Sequence, residues 1–273
     1  MGLSLSQLFK TFIYGAIPYA FYSVFVPQSP KIRYYKFFKD NGYSRFPYPY
    51  AEKYLQMQVD VLKDTDKGLN YVIHKNKRLY FPNIFTEEKI RRIYISLMIE
   101  QDVESAHHYV DSIEEFSNRT LLDIGAAEGL ISLEAIEVAR FVYLFECETE
   151  WIEALTATFE PWADKVEIIR KYIGDSNDEQ SQTLDDFFKD KPTNDLFLKM
   201  DIEGMERNAL AGSQKLFAMA DNLQFAVCTY HRSDDLKVVS SILDRYGCVY
   251  TLREGLLYTK HSLRPCLLRG YKA

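Results

Sequence analysis

Asp201, Glu203 and His231 stand just past two apolar runs, in the stretches Lys199-Met200-Asp201-Ile202-Glu203-Gly204 and Thr229-Tyr230-His231. Carboxylates and an imidazole at neighbouring strand tips make an acid–base set. A histidine that is neutral near pH 7 takes a proton from a hydroxyl, and a carboxylate orients it. The same groups are also able to share a divalent ion that acidifies the hydroxyl, although no metal is expected. Lys199 falls on the same side of its strand as Asp201, inside an apolar run, and so needs a carboxylate partner, for which Asp201 is a candidate. Glu206 already belongs to the helix that follows and favours its amino end.

A second stretch supplies the ligand chemistry. Thr120 to Leu130 reads as a buried strand that stops in a glycine turn and re-enters a helix. Gly125 is free to take a positive φ and let the backbone approach a ligand, and the helix start presents unpaired N–H groups. Asp123 at the strand end is placed to receive a cationic group. The pattern D-x-G-x-x-x-G, running from Asp123 through Gly125 and Ala126 to Gly129, lacks the triple-glycine turn that brings a pyrophosphate against a helix. S-adenosylmethionine, with an ammonium and a sulfonium but no phosphate, suits it better. The next apolar run, Phe141 to Phe145, ends in Glu146 at roughly the 20-residue interval where a carboxylate accepts ribose hydroxyls. Methyl transfer from a sulfonium to an alcohol needs alignment and removal of the hydroxyl proton, which the acid–base set provides.

These groups are positioned by a regular alternation from about Asn118 onward. Strands are expected at 120–124, 141–145, 166–169, 196–200, 223–229, 247–252 and about 264–270, with helices at 128–139, 149–159, 183–189, 205–219 and 234–246. The fold class is α/β, a doubly wound, mostly parallel seven-stranded Rossmann-like sheet in which the first and fourth strands are neighbours at the ligand crevice. Residues 1–112 form an aromatic-rich extension of helices and a hairpin, and 113–273 the α/β domain. In the extension, Tyr71–His74 and Arg78–Pro82 straddle Lys75-Asn76-Lys77 as a hairpin, and a helix starts near Thr86 with Ile90, Ile93, Tyr94, Leu97 and Met98 on one face. His107 and His108, if helical, face different ways and make a poor metal pair.

The chain of 273 residues is 47% hydrophobic and carries a net charge of −6, which excludes a disordered chain and a basic nucleic-acid footprint. Cys147, Cys228, Cys248 and Cys266 lack zinc spacing and disulfide density, which fits buried thiols in a reducing cytoplasm. Phe12 to Val26 is apolar, shorter than a membrane span, broken by Pro18 and poorly shaped as a signal peptide. It is expected to be an arm packed on its own domain or on a second copy in a homodimer. Peripheral membrane contact through residues 8–26, at the inner face of the membrane, is the other reading.

Thr183-Leu184-Asp185-Asp186-Phe187, then Leu198 through Glu206, then Leu210-Ala211-Gly212, with the Asp123–Gly129 turn and His231, resemble the motifs of FkbM-type S-adenosylmethionine-dependent methyltransferases. The resemblance extends loosely upstream to Glu100-Gln101-Asp102 and His107-His108-Tyr109. It implies a class I methyltransferase fold, S-adenosylmethionine as cofactor, and O-methylation of a small-molecule or glycan hydroxyl: a sugar, a glycan precursor or a natural product. By the same resemblance Asp123, Gly125 and Gly129 cradle the methionine end, Glu146 takes the ribose, and adenine lies against Tyr172 to Asp175. His231, Asp201, Glu203 and Lys199 are the expected catalytic group. A nicotinamide-dependent oxidoreductase and a non-catalytic membrane-associated binding module are the alternatives.

Overall fold

The computed structural model describes residues 9–272; residues 1–8 and 273, the ends of the expected extension and domain, lie outside the described residues. Helices α1 (Ile17–Phe25), α2 (Ile32–Asn41) and α3 (Ala51–Leu55) lead into a three-stranded antiparallel sheet of β1 (Leu62–Asp64), β2 (Leu69–His74) and β3 (Lys77–Phe81), followed by α4 (Glu87–Glu100). The expected hairpin is β2–β3, and Lys75 and Asn76 turn it with φ of 46° and 67°. Thr86 caps α4 by accepting from the Lys89 amide. Helical backbone begins before α1: a widened turn at Phe12–Ala16 joins it directly. Pro18 does not break the arm, because the widened turn just before it, in which the Ile17 amide donates to the Phe12 carbonyl, carries the helical backbone past the proline.

The α/β part runs β4 (Thr120–Ile124), α5 (Leu130–Ala135), β5 (Phe141–Phe145), α6 (Thr149–Phe159), β6 (Val166–Ile169), the short pair β7 (Tyr172–Ile173) and β8 (Ser181–Gln182), then α7 (Leu184–Phe187). It continues with β9 (Leu196–Met200), α8 (Glu206–Ala211), α9 (Gln214–Met219), β10 (Gln224–Cys228), α10 (Asp235–Arg245), β11 (Cys248–Leu252), the hairpin β12 (Leu257–Thr259) and β13 (Ser262–Arg264), and β14 (Leu267–Lys272). The main sheet is seven-stranded in the order β11-β14-β10-β9-β4-β5-β6. Only β14 is reversed, pairing antiparallel with both β10 and β11. The first and fourth strands of this sheet, β4 and β9, pair in parallel with Asp123 opposite Lys199.

All five residues of β4 and all five of β9 are buried, as central strands covered on both faces require. One expected helix, 205–219, is two. A Cβ on Gly212 would overlap the carbonyl oxygen of Gly174, so the break admits the segment after β6. One apolar core also crosses residue 112: Phe81, Phe85, Ile90 and Tyr94 pack in one cluster with Leu121, Leu130 and Val142. The extension is thus built onto the α/β core and brings α4 over the strand tips.

Candidate active site

A cavity of about 800 Å³ lies over the carboxyl ends of β4, β5 and β9, within the range of small-molecule sites. Its floor is the Gly125–Glu128 turn and Glu146; α4 contributes Ile93, Leu97 and Glu100, and Trp151, Tyr172 and Tyr230 close other sides.

The turn is held open by backbone chemistry. Gly125, Ala127 and Gly129 have φ of 81°, 45° and 73°. A Cβ on Gly125 would overlap the Asp201 carbonyl oxygen, so glycine is required twice over. The amides of Gly125 and Ala126 donate to the Phe145 carbonyl at 3.0 and 3.1 Å, which ties the turn to the tip of β5. Glu146 accepts from the amides of Ala127 and Glu148, both at 2.8 Å, and still lines the cavity. Two of its roughly four lone-pair positions are thereby left for a ligand. Gly129 instead serves packing: a Cβ there would press on Leu155 and Phe159 of α6.

Asp123 does meet a cation, but the cation is Lys199, at 2.8 Å. Asp123 is fully buried, accepts also from the Ser132 hydroxyl at 2.7 Å, and lies behind the cavity wall. The Lys199 ammonium donates to the Gly125 carbonyl at 2.6 Å. Burial pushes its pKa down, but Asp123 and Asp201 outweigh that and hold it above the ordinary lysine value. Lys199 is thus a permanent cation bracing the turn from below, with Asp123 rather than Asp201 as its partner.

Asp201 is the centre of the constellation. Its carboxylate accepts from the hydroxyls of Tyr109 at 2.9 Å and Tyr230 at 3.1 Å, and lies 3.3 Å from His107 Nε2 and 3.5 Å from His231 Nε2. It nevertheless opens onto the cavity, with 18% of its side chain exposed. Burial alone would raise its pKa, but His107, Lys199 and His231 hold it well below the usual carboxylate range. Burial, then the nearby Asp201 charge, keeps both tyrosine hydroxyls protonated as donors.

His231, expected at the rim as a neutral base, is 3% exposed and stands behind the cavity wall that Tyr230 provides. Its Nδ1 is 2.8 Å from Glu206 Oε1, out of line for a hydrogen bond. Burial disfavours its charge, but Glu206, Asp201 and Glu203 raise its pKa above the ordinary value. It therefore packs behind Asp201 with its protonated form favoured by three carboxylates. Glu203 projects outward, 92% exposed, from a left-handed position with φ of 54°, and marks the cavity mouth. Glu206 is fully buried and clamps the turn, accepting from the amides of Ile202 and Gly204. Tyr172 and Asp175 both line the cavity, Asp175 receiving Asn208 Nδ2 at 2.8 Å.

Several cavity groups had no strong signal in sequence. Gln101 folds the chain back after α4, donating to the His107 carbonyl at 3.3 Å and accepting from the Tyr109 amide at 3.4 Å. The segment is not helical, so His107 turns inward to Asp201 independently of His108. Glu128 lines the cavity, and burial pushes its carboxyl up to about 8. Arg45 reaches over the Tyr230 ring and stands 3.7 Å from Glu100. Among the described residues, His107, Asp201 and Cys228, and separately Asp201, Glu206 and His231, have potential metal-ligand atoms within 4.8 Å of one another.

A sheet of this order, with a cavity over a glycine turn where the strand order reverses, is the S-adenosylmethionine-dependent methyltransferase fold. The chain belongs to the FkbM methyltransferase family: residues 60–238 match the methyltransferase FkbM domain. Among solved structures it is similar to a methyltransferase FkbM from Methylobacillus flagellatus KT, with 21% identity over 68% of this chain and 56% of that one and a TM-score of 0.45. It spans just over half the length of that protein. It is also similar to the magnesium protoporphyrin IX methyltransferase of Synechocystis PCC 6803 with bound S-adenosylmethionine, with 14% identity, coverage of 58% and 72%, and a TM-score of 0.40. No curated protein matches the chain.

Proposed function

We propose that the protein transfers a methyl group from S-adenosylmethionine to a hydroxyl oxygen of a sugar, glycan precursor or related natural product. The observation that carries this reading is the Asp201 carboxylate, held ionised by a ring of donors and still open to the cavity beside the glycine turn.

The cavity chemistry fits the donor. Glu128 and Glu100 supply carboxylates for an ammonium and a sulfonium, Glu146 supplies lone pairs for ribose hydroxyls, and Trp151, Tyr172 and Phe145 supply apolar faces. The donor brings an electrophilic methyl whose leaving group is a neutral thioether. Asp201 orients the acceptor hydroxyl and receives its proton as the oxygen–carbon bond forms. A carboxylate of low pKa suffices, because an alcohol oxygen gaining a methyl becomes far more acidic than any carboxylic acid. Tyr109 and Tyr230 fix the carboxylate, while His107 and His231 pack against it from behind. Glu203 and Arg45 at the mouth suit a polar acceptor.

The test is a transfer screen with labelled S-adenosylmethionine against nucleotide sugars and glycan intermediates. The expected product gains one methyl ether on a hydroxyl carbon. Transfer only to nitrogen or carbon acceptors would overturn the assignment.

A further inference from the structure

The amino-terminal arm is built inside out for a protein in water. Its inner face carries Tyr14, Tyr19 and Tyr22, which pack on Tyr34, Phe38 and Tyr258. Gly15 lets it lie directly on the Phe38–Lys39 backbone, where a Cβ would collide. Its outer face carries Phe9, Phe12, Ile17, Phe21, Val24 and Phe25, between 51% and 71% exposed. Every exposed position from Phe12 to Val26 is apolar. The tyrosines pack inward, and the pure hydrocarbons face out.

We propose that this face docks the protein on an anionic lipid surface, with the arm lying in the interface plane. Helical backbone from Phe9 to Phe25 is about 25 Å long at 1.5 Å per residue, and no described helix is long and apolar enough to cross a membrane. The charge pattern agrees: in a chain of net charge −6, the first 39 residues hold Lys10, Lys31, Arg33, Lys36 and Lys39 and no acid. Lys36 and Lys39 share Asp40 just beyond and Arg33 meets Glu254, so five cations face two acids and the segment stays positive on balance. A second protein surface is the weaker occupant, because specific protein interfaces carry about one hydrogen bond per 100–200 Å² and none of the exposed positions between Phe12 and Val26 has a donor or acceptor side chain. The arm packs on the β12–β13 hairpin, whose Lys260 and Arg264 hold the His231 carbonyl, so the lipid-facing element braces the same strand tip that closes the cavity.

The test is co-sedimentation of the full chain with vesicles of phosphatidylcholine alone or with about one-third phosphatidylglycerol, without methyl donor or acceptor, so that its result is independent of the transfer reading. The wild type should bind the anionic vesicles at least tenfold more tightly than neutral ones. F21E/F25E, at exposed positions, should lose at least tenfold of that binding with an unchanged melting temperature, and K10E/K31E should lose about threefold. Failure of the wild type to bind either vesicle, or equal binding by F21E/F25E, overturns the proposal. So does a wild-type dimer in vesicle-free buffer that F21E/F25E converts to monomer without any vesicle binding.

Discussion

Two buried clusters of this protein use the same residue types to different ends. In one, His74 links the Tyr94 hydroxyl at 2.9 Å to Glu134 at 2.8 Å, and Lys75 closes on the same carboxylate at 2.8 Å. In the other, His107 and His231 flank Asp201, which two tyrosine hydroxyls engage. The two carboxylates are almost equally exposed, at 16% and 18%. Yet Glu134 is used up by its neighbours and pins β2 to α5 outside the cavity, whereas Asp201 keeps one side turned into it. Burial and a histidine are common to both carboxylates; what sets Asp201 apart, and what the proposed catalysis rests on, is a network left open on one side.

The contrast is sharpest in activity. Replacing Asp201 with Asn should lower the rate of methyl transfer about 10³-fold, worth about 4 kcal/mol, while donor binding survives. E134Q should stay within twofold of wild type in the same assay. Equal losses in both would erase the distinction. Gly125→Ala comes next: the added Cβ meets the Asp201 carbonyl at a φ of 81°, so donor affinity measured by calorimetry should fall about 100-fold.

Stability should reverse the ranking. Burial opposes ionisation of Glu134, but His74 and Lys75 pull its pKa down to about 2 from an ordinary 4.5. A carboxylate lowered on folding stabilises above its unfolded pKa and loses that contribution as pH falls through its folded one. E134Q should therefore cost about 2 kcal/mol in urea denaturation at pH 7, with the difference shrinking between pH 4.5 and 2. The smallest effect concerns Glu128. Its carboxyl, raised by burial to about 8, is protonated in the empty cavity at neutral pH and must ionise beside a cationic ligand. Donor affinity should rise about fivefold from pH 7 to 8 and about twofold more before levelling off near pH 9, and E128Q should flatten the profile.

Much of this was legible in sequence because it rests on local rules. The β4 strand, the Gly125 turn and the parallel register of β4 with β9 follow from apolar runs, glycine and right-handed crossovers. What sequence left open depends on long-range burial. Asp123 and Lys199 pair because their strands are neighbours in register, which leaves Asp123 no cavity face. His231 lies behind Tyr230 because the chain after β10 is held by Lys260 and Arg264 from the distant β12–β13 hairpin. Tyr109 and His107 reach Asp201 only because Gln101 folds the chain back after α4, a non-helical return that no periodicity marks.

Equilibrium dialysis of the protein against labelled S-adenosylmethionine tests the central reading most directly. One molecule should bind per chain with micromolar affinity, and D201N should retain it. Folded protein that binds neither this donor nor its demethylated product would contradict the account.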